Sequence, residues 1–171
     1  MGNKIANQEY KVITVTPALT IGSPTAFAAA DVFFNATEIP GAVITQGGCS
    51  KLLGIGIVDQ ADQNLDLTFV FMQVAKDLGT VNAVVDITDS NLEAAKVMGI
   101  VTVDFSTVQV DLVASKAAYF SGGSATAGIN QLPMLLQAAS NSTSVYVAAI
   151  TNGTPTLAAA DDVDLMFHIQ Q

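Results

Sequence analysis

Apolar and polar positions alternate along this chain in short runs, each closed by turn residues. Tyr10 to Thr16 (YKVITVT) has period two and is rich in β-branched side chains, the pattern of a strand with one buried face. Asp31 to Phe34 and Ala42 to Thr45 read as further strands, parted by the turn signal Glu38-Ile39-Pro40-Gly41. Lys51 to Val58 and Leu65 to Val74 flank the polar stretch Asp59-Gln60-Ala61-Asp62-Gln63-Asn64, an arrangement that predicts a hairpin. Val81 to Ile87, Ile100 to Phe105, Val108 to Ala114, Leu132 to Ala138, Val145 to Ile150 and Val163 to Ile169 continue the series. Asn152-Gly153 supplies a strong turn between the last two.

One segment breaks the period. Ser90-Asn91-Leu92-Glu93 fits a capping box, in which the Ser90 and Glu93 side chains satisfy free backbone amides at a helix start. It predicts a short helix over about 91–98, ended by a left-handed cap at Gly99. Leu92, Ala95 and Met98 then share one face, read as a core contact. Short strands with one helix, no fixed-period repeat and no linker predict an all-β fold: a single-domain β-sandwich, jelly-roll-like. The domain is placed at 10–171, after an N-terminal extension over 1–9 that is loose or reaches a neighbour.

Composition narrows the chemistry. Charged residues are 12% of the chain, about half the roughly 25% of ordinary soluble domains. Every cation is a lysine: Lys4, Lys11, Lys51, Lys76, Lys96 and Lys116. The net charge of −9 without arginine argues against binding nucleic acid or an anionic lipid surface, since both need clustered cations. Hydrophobic residues make up 50%, which points to apolar surface buried against partners. No apolar run reaches the ~18 residues of a membrane span. Thr14, Thr16, Pro17, Thr20 and Ser23 interrupt the only stretch resembling a signal peptide, Val12 to Ala30. The expectation is an untargeted chain made in a cytoplasm.

Few residues invite a catalytic reading. Cys49 is the single cysteine, so it forms no intrachain disulfide, and no base is recognisable beside it. Asp59, Asp62, Asn64 and Asp66 suggest a calcium loop, but the central glycine and distal glutamate of an EF-hand are missing, and solvation of a hairpin loop explains them. Asp161, Asp162 and Asp164 precede the last strand, where they read as a solvated turn or a guard against edge pairing. Alternation puts His168, the single histidine, opposite Phe167 and Ile169, without an identifiable nucleophile. Gly47-Gly48, Gly54-Ile55-Gly56 and Gly122-Gly123 lack the strand-turn-helix setting of a phosphate loop. No catalytic residue, cofactor-binding residue or metal ligand is assigned, and no enzyme activity is expected.

Three groups of segments carry a likeness. The first is Asp31-Val32-Phe33-Phe34 leading into Glu38-Ile39-Pro40-Gly41-Ala42-Val43. The second is Gly56-Ile57-Val58-Asp59 followed by Leu65-Asp66-Leu67-Thr68-Phe69-Val70-Phe71. The third is Ser142-Thr143-Ser144-Val145-Tyr146-Val147-Ala148-Ala149-Ile150, then Gly153-Thr154-Pro155-Thr156. In that order, from about Tyr10 to Ile169, the chain resembles the capsid decoration (cement) proteins of tailed bacteriophages. The resemblance implies a non-enzymatic virion protein on the capsid exterior. It implies two partners, the major capsid protein and further copies of itself in a homotrimer, and no cofactor. The loop Ser121 to Gly128 departs from the family pattern, being longer and richer in glycine. That loop and Met1 to Gln8 are the expected contact segments. The alternatives are a neck or tail component, a receptor- or glycan-binding β-sandwich module and, last, a hydrolase built on His168.

Overall fold

In the strand β12 (Val163–Gln170), Val163, Leu165, Phe167 and Ile169 are buried, while the residues between them, His168 included, are half-buried on the opposite face. This period-two burial organises the whole molecule, a computed structural model that describes residues 9–19, 25–107, 109–122 and 132–171. β12 lies between β1 (Tyr10–Val15) and β4 (Cys49–Asp59) in the first sheet. Beyond β4 come β8 (Lys116–Ser121) and β7 (Gln109–Asp111), while β9 (Met134–Gln137) pairs the opening residues of β4. The second sheet runs β3 (Val32–Ile39), β10 (Val145–Thr151), β5 (Leu67–Met72) and β6 (Val97–Val103). A two-residue ribbon joins β2 (Thr25–Ala26) to β11 (Thr156–Leu157).

The pairings are antiparallel, and they nest. β1 pairs β12, β3 pairs β10, β4 pairs β8 and β5 pairs β6. Such nesting is a long antiparallel ribbon rolled up so that its successive rungs alternate between two sheets. The fold is therefore an all-β sandwich with jelly-roll topology. Between the sheets lie all eight phenylalanines of the chain, each no more than 3% exposed. Phe27, Phe33, Phe34, Phe69, Phe71 and Phe167 form a continuous file with ring centroids 5.1–6.5 Å apart. Its last contact crosses the sandwich: Phe71 of β5 meets Phe167 of β12 edge-on at 5.9 Å and 86°.

Rolling overturns the expected hairpin. The strands on either side of residues 59–64 stand in opposite sheets, so the polar stretch is an arch across the sandwich. Asp59 sets the turn: its buried carboxylate accepts from the amides of Ala61 (3.0 Å) and Gln63 (2.7 Å). A polar loop between apolar strands looks the same in sequence whether its strands pair or part.

Other boundaries shift for local reasons. The helix α1 is Asp89–Ala95, capped at Thr88, whose Oγ1 accepts from the Asn91 amide at 3.3 Å. The capping residue is thus Thr88, and Ser90 lies inside the helix. Lys96 takes the left-handed conformation (φ 51°) that ends it. Gly99 instead sits within β6, where a Cβ would collide with the Met134 side chain. Met98 consequently belongs to a strand, and of the expected helical stripe Ala95 is buried while Leu92 is 44% exposed.

Val81 to Ile87 and Ala42 to Thr45 are not strands. The first makes isolated bridges through Val81 and Val84 and interrupts its extended run at Asn82 (φ 60°). Its apolar residues serve a second, smaller core, packed with Leu78 and Ala95 on the outer face of the second sheet around Val32, Val70, Met72 and Ala148. Within Ala42 to Thr45, buried Ala42 and Val43 anchor a turn. Among the described residues of Val108 to Ala114, Gln109–Asp111 is a strand and 112–114 are not, and Lys116–Ser121 is one the pattern did not announce. Met1 to Gln8, Val108 and residues 123–128 of the Ser121 to Gly128 loop lie outside the described residues.

Truncating either ring of the inter-sheet contact opens a cavity in a packed interior. Phe71→Ala and Phe167→Ala are each expected to cost about 3–5 kcal/mol. The double variant should cost less than the sum, because the two rings share one contact. Urea unfolding of the three variants checks both statements.

Candidate functional site

The acidic residues of the 59–66 stretch hold the fold. Asp59 is fully buried, not solvated as the loop reading expected. Asp62 pairs with Lys116 at 2.8 Å, and the Lys116 ammonium also reaches the Asp62 carbonyl at 3.4 Å. Asp66 accepts from the Phe105 amide at 2.7 Å, tying the arch to the segment after β6. These carboxylates therefore face separate partners. Among the described residues, no group of three or more His, Cys, Asp or Glu side chains is placed to hold a metal ion.

Burial pushes the Asp59 carboxyl above its ordinary value of 3.8, outweighing the backbone amides of Gln63, Ala61 and Asn64 and the more distant Lys116. Lys116 is itself raised, chiefly by its bond to Asp62.

In the second acidic cluster Asp161 is exposed in the turn before β12, while its two neighbours hold structure. Asp162 accepts from the amides of Ala158 and Ala159, both at 2.8 Å. Asp164 accepts from the Thr16 hydroxyl at 2.5 Å and from the Gln60 amide group at 3.3 Å. The strand that follows is central, between β1 and β4, so protection of an exposed edge does not apply. Cys49 is an exposed free thiol at the start of β4, opposite Gln137 of β9.

His168 finds a neighbour the sequence did not suggest. On the outer face of the first sheet it meets Tyr119 of β8 edge-on, with ring centroids 4.8 Å apart. Gly54 of β4 is the register partner of His168, and a Cβ there would collide with the Tyr119 ring, which reaches over it diagonally from its own partner Gly56. The bare backbone of Gly54 lets the tyrosine lie across the sheet. Tyr10 (65% exposed) and Val12 (54%) extend this face on β1. At the opposite edge, Leu112 and Val113 (92% exposed) form the apolar tip of the β7–β8 turn, where Val113 holds a φ of 78°. A β-branched residue is rare in that left-handed region.

A second concavity lies on the other sheet. A groove of about 580 Å³ runs between α1 and β6, floored by Val70 and Ile150 and walled by Ile87, Leu92, Val97 and Ile100. Asp89 and Glu93 are the charged residues of its lining, and they lie one helical turn apart. Leu92, Val97 and Ile100 are 38–44% exposed, so the groove is open to water along its length. The sequence announced the helix but not the groove, which depends on β6 starting directly after the Lys96 cap.

Among the described residues no helix is long and apolar enough to cross a membrane. A scan against protein-family models finds no match, and a search of curated proteins finds no similar sequence.

The raised Asp59 carboxyl has a definite sign. The native state binds this proton more tightly than the unfolded chain, so Asp59 adds stability as pH falls from neutral through its native pKa, levelling off below about 3.8. Measured from pH 7 down to 3, the stability of the protein relative to Asp59→Asn is expected to increase. For the outer face, Gly54→Ala should be destabilising in the native background and milder in Tyr119→Ala. A double-mutant cycle by urea unfolding should return a coupling of about 1 kcal/mol.

Proposed function

We propose that this chain is a non-enzymatic virion protein of a tailed bacteriophage, a decoration protein that binds the outer face of the capsid shell as a closed homotrimer. The observation that carries this reading is the amount of aliphatic surface the fold leaves uncovered on a charge-poor chain. Leu92, Val97 and Ile100 line an open groove, and Leu112 and Val113 cap a turn on the other sheet. Monomeric soluble domains rarely expose apolar patches of this kind without a partner. The carboxylates of Asp59, Asp66 and Asp162 are engaged in holding the backbone, which suits a scaffold. A jelly roll is common to viral capsid proteins, lectins and cupins, so it is compatible with the reading and does not select it.

The mechanism needs no chemistry. Binding the assembled shell and not its separated subunits stabilises assembly by mass action. Many symmetric copies multiply a modest contact. The net charge of −9 keeps the free protein off nucleic acid during assembly.

A second reading, a glycan-binding module, is favoured by the Tyr119–His168 platform and exposed Tyr10, since aromatic faces pack against sugar rings. Peptide mass spectrometry of purified particles separates the possibilities. Abundance equal to the major shell protein, or a third of it, is the expected result. A copy number of about a dozen would move the chain to the neck or tail, where symmetric rings are small. Absence from particles would overturn the virion reading and turn attention to a glycan array.

A further inference from the structure

We propose that the groove between α1 and β6 is a docking site for a short aliphatic segment of a partner protein, carrying a lysine or arginine beside its apolar side chains. The floor and walls are aliphatic, and the volume of about 580 Å³ is that of sites which enclose several side chains. Charge decides the rest. Asp89 and Glu93 are acidic, they share one face of α1 with Leu92, and no lysine lines the groove with them. A cation entering with the apolar side chains meets a complementary rim, while an acidic or anionic occupant is repelled.

The same argument selects among occupants. A second copy is disfavoured, since the chain carries six cations against fifteen acids and Lys116 is already paired with Asp62. An anionic lipid surface meets the rim with the wrong sign. A basic-flanked aliphatic segment of another protein satisfies both parts of the site. On the function proposed above that segment belongs to the shell protein, whereas the recognition chemistry rests on the groove alone.

The test uses the full chain with labelled methyl groups, observed by NMR and titrated with two synthetic peptides. One alternates leucine with lysine, and the other alternates leucine with glutamate. The lysine peptide should shift the methyls of Leu92, Val97 and Ile100 and bind at least about tenfold more tightly than the glutamate peptide. Asp89→Asn with Glu93→Gln should shrink that preference to about twofold, and Ile100→Asp should abolish the shifts. Ile100 is 40% exposed, so the variant should fold, and Leu92→Gln provides a milder second probe. Equal binding of both peptides, no binding, or shifts spread over the whole surface by net charge would overturn the proposal. So would a short alkyl glycoside that occupies the groove as tightly as the lysine peptide.

Shell co-sedimentation keeps the two proposals apart. Attachment of the native chain but not of Ile100→Asp supports both. Equal attachment of the two removes the groove from shell binding. No attachment of the native chain, with the lysine peptide still held in the groove, removes the shell and leaves the docking site standing.

Discussion

The edge-on contact between Phe71 and Phe167 is where the two sheets of this protein grip each other. The larger of the two cores contains the file of rings that ends there. Phenylalanine is suited to the task because one side chain removes a large apolar area from water while using only two rotatable bonds. The chain has no tryptophan, and its eight phenylalanines are all in the core. With all the phenylalanine inside, the outer faces carry tyrosine, small and aliphatic residues. That division explains how a chain with so few charges folds as a sandwich and still presents uncovered apolar surface.

The fold class was legible because burial in a sandwich is periodic. The strands β1, β9 and β12, whose burial alternates, are all present near their expected places. What the pattern did not carry was partnership. A loop such as 59–64 is polar whether it closes a hairpin or arches between sheets, and only the buried carboxylate of Asp59 distinguishes the arch. β8 was hidden by its own composition, since Lys116-Ala117-Ala118 has weak contrast and opens on a lysine that is nonetheless buried against Asp62. Val81 to Ile87 misled in the opposite direction. Its apolar residues cover the outer face of a sheet, and coverage needs no ladder of hydrogen bonds.

The candidate surfaces were less legible than the fold, for a related reason. His168 was placed correctly on the face opposite Phe167, yet its neighbour Tyr119 is distant in sequence and reaches it only across Gly54. The groove needs three elements to meet: the left-handed Lys96, the strand that starts at once after it, and the covering segment that supplies Ile87. No local motif encodes such a meeting. Asp59 and Asp162, by contrast, were conspicuous in the sequence, and in the structure they are spent on turns.

The central place of β12 has a consequence for how the molecule is made. Residues 163–170 separate β1 from β4, so the first sheet has no continuous hydrogen-bonded path until that strand inserts. A nascent chain emerging from the ribosome must hold β1 in waiting while all the strands from β2 to β12 are synthesised. Closing such distant pairings is slow, and apolar strands stay open to misassociation in the interval. A chain that stops short of Val163 also lacks Phe167, and with it the ring contact that joins the two sheets. The strand that completes the first sheet is thus made after the other strands of the sandwich, and a copy terminated before it keeps β1 and β4 as unjoined edges.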